Sequence, residues 1–212
     1  MKGARAAIFD LDGTLVDSAA DITVSKNVVL ADLGLPTMTV EQVRPWIGMP
    51  PVDFFAHLGL GDDAPAAVVA FRAHLAEHVG THSVVYEGVV EALNGLTEDG
   101  WRLGVATNKP THLAHIALDR AGLLNAFEAI RGPEDLPPKP DPALIRACLD
   151  SLGCSTGVMV GDTVVDIRAA KAAGVQAVLV THGLDPDEVL IATEPDLVVA
   201  SFPELIDHLG AP

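Results

Sequence analysis

The residues of this chain that suit chemistry are carboxylates, a lysine and small polar side chains that follow short apolar runs. Asp10 and Asp12 come directly after the run 6–9, and Asp162 comes just after the run 157–160. In a parallel sheet the carboxyl ends of such strands meet at one edge, which is where ligands bind. The side chains expected to meet there are Asp10, Asp12, Thr107, Asn108, Lys139, Asp162 and Asp166.

Asp10 and Asp12 are the pair that predicts a reaction. A carboxylate can attack phosphorus and form an aspartyl-phosphate, as carboxylate nucleophiles do in ATPases. A second carboxylate two residues away can protonate the leaving alkoxide and then activate the water that hydrolyses the intermediate. Gly13 permits a tight turn and a close backbone approach to the substrate. We therefore expect Asp10 to be the nucleophile, Asp12 the general acid and base, and Gly13 a substrate-contacting position.

A cation is needed because a carboxylate and a phosphate repel each other. Mg²⁺ fits, since it prefers hard oxygen ligands and shares phosphates with one or two carboxylates. The expected ligands are Asp10, Asp162 and the backbone carbonyl of Asp12. Asp166, one helical turn beyond Asp162, is expected to orient a metal-bound water or Lys139, although it could serve only to complement a helix dipole.

Hydrogen-bond donors must bind the remaining phosphoryl oxygens. The Thr107 hydroxyl, the Asn108 backbone N–H and the Lys139 ammonium group are suited to this role. Asn108 could instead cap the helix that follows it. Lys109 is interpreted as a solvated side chain. Together these groups supply positioning, a metal and a cation clamp, which are the requirements of phosphoryl transfer.

Short apolar runs alternate with helical segments after residue 86. Strands are predicted over 6–9, 101–106, 157–160, 177–180 and 197–200. Helices are predicted over 89–97, 113–121, 142–152, 165–173, 186–192 and 203–209. This alternation predicts an α/β fold in which a Rossmann-like parallel sheet has helices on both faces.

Residues 18–82 have helical periodicity and contain no convincing strand. Apolar residues recur at helical spacing through Ile22, Val28, Val29 and Leu33, and further helices are predicted over 39–46, 51–58 and 64–79. We therefore predict a core domain over 1–17 and 83–212 and an inserted helical domain over 18–82. The connections near residues 17–18 and 80–84 could act as hinges that close this insert over a small substrate.

These polar residues fall in four segments whose order along the chain resembles that of the four motifs of the haloacid dehalogenase superfamily. The resemblance covers essentially the whole chain. Residues 10–15 (Asp-Leu-Asp-Gly-Thr-Leu) are similar to its first motif, Thr107 to its second, residues 139–142 to its third and residues 161–166 to its fourth. Phosphatases and phosphomutases of the superfamily have the second Asp of the first motif, so Asp12 implies phosphate chemistry. The helical insert resembles the type-1 cap of the superfamily.

Two segments resemble the phosphoglycolate phosphatase branch. They are residues 43–48 (Val-Arg-Pro-Trp-Ile-Gly) and residues 86–89 (Tyr-Glu-Gly-Val), although the chain continues with 49–51 (Met-Pro-Pro) where those enzymes often have further glycines. The resemblance implies a Mg²⁺-dependent phosphatase of small phosphomonoesters, with 2-phosphoglycolate as the leading substrate. Arg44 could bind a substrate carboxylate bidentately or be an exposed charge. Trp46 could line the substrate pocket or belong to the core of the insert.

Other activities remain compatible with the same residues. A phosphomutase resembling β-phosphoglucomutase would pass the phosphoryl group to a sugar hydroxyl, and nucleotidases and pyrophosphatases share this type of cap. A non-enzymatic alternative is a phospho-acceptor similar to a response-regulator receiver domain, which also has an Asp at a strand end. Receivers are shorter, about 120 residues, and lack a helical insert.

Composition restricts the partners and the compartment. A formal net charge of −16 disfavours non-specific binding to nucleic acid. No apolar stretch is long enough to span a membrane, and no signal peptide is evident, so a cytoplasmic protein is expected. Cys148 and Cys154 fit no metal-ligand pattern and are interpreted as reduced structural residues. The expected partner is a small phosphorylated metabolite, for a monomer or a homodimer.

Overall fold

The computed structural model describes residues 5–182, 190 and 192–210 of the chain. The helix that the sequence predicts over 186–192 falls largely on residues outside these ranges. Within the described part, no helix is both long and apolar enough to cross a membrane.

The central feature is a six-stranded sheet whose strands all run parallel. Its strands are β1 (Arg5–Phe9), β4 (Trp101–Ala106), β5 (Ala129–Arg131), β6 (Thr156–Gly161), β7 (Gln176–Val180) and β8 (Leu197–Val199), in the spatial order β5-β4-β1-β6-β7-β8. The predicted α/β class is confirmed. β5 was not predicted, because its three residues carry too little periodicity to indicate a strand.

Strand β1 shows why helices cover both faces of this sheet. Ala7 and Phe9 point into one apolar cluster, and Ala6 and Ile8 point into another. The alternation follows from the two-residue period of a strand. Because all four side chains are buried, both clusters need a layer of helices, and a parallel sheet is normally covered in this way.

Two short strands, β2 (Val16–Asp17) and β3 (Val84–Val85), pair with each other outside the main sheet. Four helices lie between them in the sequence. They are α1 (Ala19–Asp32), α2 (Val40–Val43), α3 (Pro51–His57) and α4 (Ala64–His78), with short 3₁₀ helices at Arg44–Trp46 and Gly61–Asp63. Five more helices are described after β3: α5 (Val89–Glu98), α6 (Thr111–Arg120), α7 (Ala143–Leu152), α8 (Val164–Ala173) and α9 (Phe202–Leu209). A 3₁₀ helix at Leu124–Ala126 precedes β5.

The two connections to the helical insert are joined to each other. β2 and β3 are antiparallel, with Val16 opposite Val85 and Asp17 opposite Val84. Asp21, in the first turn of α1, accepts hydrogen bonds from the backbone N–H groups of Gly80 and His82 at 2.7 and 2.8 Å. The outgoing and returning chains therefore form one paired neck. The division into two domains and the hinge motion stay predictions.

The buried face of α1 differs from the face that the apolar spacing predicted. Ile22 and Val29 are buried, but Val28 and Leu33 are 37% and 49% exposed. Polar residues of the same helix are buried instead, namely Asp21, Thr23, Ser25 and Lys26. The face of α1 that packs inward therefore carries polar groups. Asp21 lies in the neck, and Lys26 lines the cavity described below.

Candidate active site

The carboxyl ends of β1, β4 and β6 bring the predicted polar residues together. β1 lies between β4 and β6, and the backbone N–H of Asp10 donates to the Val160 carbonyl at 2.9 Å. A cavity of about 640 Å³, counting the space open at its mouth, lies above these strand ends. Of the predicted site residues, its walls contain Asp10, Asp12, Trp46, Thr107, Asn108 and Lys139.

Lys139 lies between two buried carboxylates. Its Nζ is 2.7 Å from Asp10 Oδ1 and 2.6 Å from Asp166 Oδ1. Burial alone would lower the pKa of Lys139, but the charges of Asp10 and Asp166 outweigh it and raise the pKa above its usual value. Lys139 is therefore a permanent cation beside Asp10.

Asp10 is buried and its carboxyl group is costly to ionise. Burial raises its pKa from 3.8 to about 6, the charge of Lys139 opposes this rise, and Asp166 adds to it. The Lys139 ammonium group, 2.7 Å from Oδ1, is a cation in direct contact with this carboxylate. Additional positive charge at this oxygen would stabilise the ionised form.

Asp162 and Asp166 are oriented by neighbouring hydroxyl groups. The Thr14 hydroxyl donates to Asp162 Oδ1 at 2.6 Å. Asp166 Oδ2 accepts from the backbone N–H of Thr163 at 3.0 Å and from its hydroxyl at 2.5 Å, an arrangement typical of the first turn of a helix. Asp166 thus lies in the first turn of α8 and also contacts Lys139, while its role in orienting a metal-bound water stays a prediction.

Three carboxylates form a group with the spacing of a metal site. Oxygen atoms of Asp10, Asp162 and Asp166 all lie within 4.8 Å of one another. The sequence predicted Asp10 and Asp162 as ligands and gave Asp166 an indirect role, with the Asp12 carbonyl as the third ligand. These carboxylates are hard oxygen donors, which Mg²⁺ prefers, so the residues present fit the predicted ion.

Asp12 is held by two side chains that the sequence did not predict as site residues. Lys109 Nζ donates to both carboxylate oxygens of Asp12, at 2.6 and 2.5 Å, and the Ser18 hydroxyl donates to Oδ1 at 2.6 Å. The interpretation of Lys109 as solvated is therefore wrong, since the residue is only 7% exposed. A lysine directly after Thr107 and Asn108 was the available signal, but the contact joins residues 97 positions apart.

Thr107 and Asn108 both line the cavity, but the side chain of Asn108 has a role that was not expected. Its amide donates to the carbonyls of Gly48 and Lys139, at 2.9 and 3.1 Å, and its Oδ1 accepts from the Lys139 backbone N–H at 2.8 Å. It does not cap α6, which is preceded by Pro110. Asn108 thus connects the 139 loop to the inserted segment at Gly48.

Two predicted substrate contacts are not in the cavity wall. Arg44 Nη2 lies 3.4 Å from Asp17 Oδ2, and both side chains are about one third exposed. Gly13 has φ of +93° in the turn after Asp12, and its N–H donates to the Val16 carbonyl at 2.9 Å. Arg44 therefore contacts Asp17 in the neck, and Gly13 forms a turn. Trp46, by contrast, lines the cavity, and its ring packs on that of Phe54 with 5.7 Å between ring centroids.

Comparison with known proteins identifies the family. The family model described as haloacid dehalogenase-like hydrolase matches residues 7–180. The chain belongs to this family. It is 40% identical to a phosphoglycolate phosphatase of Cereibacter sphaeroides over 83% of this chain and 84% of the relative. It is 38% identical to a phosphoglycolate phosphatase of Rhodospirillum rubrum over 98% of this chain and 92% of the relative.

Solved structures agree with this assignment. A haloacid dehalogenase-like hydrolase from Streptococcus pneumoniae superposes with a TM-score of 0.91 at 24% identity, over 98% of this chain and 99% of that one, which supports the fold. A protein from Haemophilus somnus described as a "predicted phosphoglycolate phosphatase" gives a TM-score of 0.85 at 30% identity, over 98% and 99% of the two chains. The family and the curated relatives together show that the chain is a phosphoric monoester hydrolase, as the sequence predicted.

Proposed function

We propose that this phosphatase is Mg²⁺-dependent and hydrolyses small phosphomonoesters through an aspartyl-phosphate on Asp10, with 2-phosphoglycolate as its leading substrate. The observation that carries the proposal is the environment of Asp10. Its buried carboxylate lies beside Lys139 and within 4.8 Å of the carboxylates of Asp162 and Asp166, in a cavity that also contains Asp12. Nucleophile, acid/base and cation are thus within reach of one phosphoryl group.

Asp10, Asp162 and either Asp166 or the Asp12 carbonyl would hold Mg²⁺. When bound, the ion would neutralise the repulsion between these carboxylates and the substrate phosphate. The close spacing of the hard oxygen donors of Asp10, Asp162 and Asp166 supports this assignment.

The side chains of this chain would perform the following steps. Asp10 attacks phosphorus, while Lys139 and the Thr107 hydroxyl bind phosphoryl oxygens. Asp12, protonated at the start of the cycle, donates its proton to the leaving oxygen as the ester P–O bond breaks. It then removes a proton from the water that attacks phosphorus, and the bond between phosphorus and Asp10 breaks to release inorganic phosphate. Ser18 and Lys109 fix the orientation of the Asp12 carboxylate.

The substrate is proposed from the relatives and from the size of the site. The curated relatives described above are named phosphoglycolate phosphatases. The cavity is covered by residues of the insert such as Trp46 and Gly48, and Asn108 joins Gly48 to the core. A substrate enclosed in this way has to be small, and closure of the 18–82 insert would exclude water during phosphorylation of Asp10.

The test is phosphate release from a panel that contains 2-phosphoglycolate, sugar phosphates, nucleoside monophosphates and pyrophosphate, with Mg²⁺ and then with EDTA. Release that depends on Mg²⁺ and is fastest with 2-phosphoglycolate is expected. A different best substrate would retain the mechanism and reject the substrate. Transfer to a sugar hydroxyl without phosphate release would support the phosphomutase instead.

Asp10→Asn tests the nucleophile. We expect turnover to fall by at least about 10³-fold, because an amide cannot form the acyl phosphate. The variant should remain folded, since a neutral amide is easier to bury than a carboxylate whose pKa is raised to about 6. Retention of most of the wild-type turnover by a folded Asp10→Asn protein would reject the aspartyl-phosphate mechanism.

A further inference from the structure

Lys26 is a buried cation in the same cavity that neither the sequence motifs nor the proposed mechanism uses. It belongs to α1 of the insert, is 1% exposed, and lines the cavity with Ile22, one helical turn before it. Its Nζ lies 3.8 Å from the centroid of the Phe54 ring. No hydrogen-bond partner for Nζ is found among the described residues.

A lysine in this environment destabilises the folded protein when no ligand is bound. A buried ammonium group without hydrogen bonds loses its hydration, and one aromatic face replaces only part of it. Burial accordingly lowers the pKa of Lys26 from 10.5 to about 7. An ionisable group that is perturbed in this way and lies in a cleft is typical of a functional site.

The charges of the cavity show what Lys26 lacks. The wall contains two acidic side chains, Asp10 and Asp12, and each already has its own lysine at ion-pair distance, Lys139 and Lys109. Lys26 projects from the insert, whereas both aspartates follow β1 of the core. Among the cavity-lining residues, no carboxylate remains to pair with Lys26.

We propose that Lys26 binds a carboxylate of the substrate, so that the enzyme selects phosphomonoesters that also carry an acid group. This inference rests on the proposed phosphatase function and deepens it. A carboxylate is favoured over a second phosphate, because one ammonium group can neutralise a single charge, while a phosphate dianion calls for several donors. The neighbouring Phe54 ring and the apolar wall would strengthen the ion pair by excluding water.

The test uses two pairs of substrates that differ in a carboxylate: 2-phosphoglycolate with ethyl phosphate, and 3-phosphoglycerate with glycerol 3-phosphate. The wild-type enzyme is expected to have the higher kcat/KM for the acidic member of at least one pair. Lys26→Met should lower kcat/KM for that acidic substrate by at least about 30-fold, mainly through KM. The same variant should change kcat/KM for the substrate that lacks the carboxylate by less than about 3-fold.

Lys171→Met is the matched control, because it also removes one lysine charge, from the exposed end of α8. It should leave both values unchanged. Thermal unfolding of Lys26→Met verifies folding, which this change is expected to favour. An equal loss for both members of a pair, or no wild-type preference for either acid, would overturn the inference. Absence of any phosphate release from all four compounds and the wider panel would instead reject the proposed function, and with it this inference.

Discussion

Lys139 and Lys26 are buried in opposite walls of the cavity, and their surroundings shift their pKa values in opposite directions. Lys139, on the core wall, lies between Asp10 and Asp166, and its pKa is raised. Lys26, on the wall from the insert, faces the ring of Phe54, and its pKa is lowered to about 7. Lys139 on the core wall already has carboxylate partners, whereas Lys26 on the insert wall has no carboxylate partner among the cavity-lining residues. On our proposals, the core wall carries out the reaction and Lys26 on the insert wall selects the substrate.

Replacement of Lys139 by Met should have the largest effect on stability. It would leave Asp10 and Asp166 buried without their cation, which costs about 3–5 kcal/mol when one partner of a buried ion pair is removed. Chemical denaturation with EDTA present would measure this loss, and addition of Mg²⁺ should recover part of it. A loss below about 1 kcal/mol would contradict the view that Lys139 is required by the core wall.

The same replacement at Lys26 should stabilise the protein. Burial of the charged lysine costs about 4 kcal/mol at neutral pH, because its pKa falls from 10.5 to about 7, and Met removes this cost. Below pH 7 both folded and unfolded wild-type chains bind the proton, so the folded state bears the full cost. From pH 7 to 10.5 only the unfolded chain binds it, and wild-type stability rises.

The stability advantage of Lys26→Met over wild type should therefore be greatest at pH 6 and shrink towards pH 10. Chemical denaturation of both proteins at pH 6, 8 and 10 would measure it, with Lys171→Met as the control for an exposed lysine. A destabilised Lys26→Met protein would show that Lys26 is a structural residue, and the contrast between the two walls would fail.

These two lysines also show what the sequence could and could not predict. Lys139 was predicted because it precedes a helix in a Lys-Pro-Asp-Pro motif, and the strands that carry Asp10, Thr107 and Asp162 are short apolar runs with a clear pattern. Lys26 was missed because apolar periodicity assigns polar residues of a helix to its solvated face. In α1 the buried face includes the cavity and the neck, and tertiary contacts override the pattern.

The missed strands have a similar cause. β2, β3 and β5 have only two or three residues, too few for a period to be recognised. Their positions depend on long-range pairing, such as that of Val16 with Val85. Lys109 was misinterpreted for the same reason, because nothing local to it indicates a contact with Asp12.

Lys109→Met should have an intermediate effect on activity. Asp12 would keep its hydrogen bond from Ser18 but lose the ammonium group that fixes both of its oxygens. We expect kcat to fall about 10-fold, since misplacement of an acid/base group raises the barrier without removing the group. Steady-state kinetics with 2-phosphoglycolate would measure this. An unchanged kcat would mean that Lys109 is dispensable although it is buried.

Arg44→Ala should have the smallest effect, and it sharpens the comparison because Arg44 is the rival for the substrate carboxylate. Its contact with Asp17 is 3.4 Å long and about one third exposed, and exposed ion pairs contribute about 0–1 kcal/mol. We expect unfolding free energy to change by less than about 0.5 kcal/mol and kcat/KM to change by less than about 2-fold for both 2-phosphoglycolate and ethyl phosphate. A loss confined to 2-phosphoglycolate in Arg44→Ala, with Lys26→Met unaffected, would transfer the carboxylate contact from Lys26 to Arg44. Such a result would require the insert to close further than this structure shows, since Arg44 would have to leave Asp17 to reach the cavity.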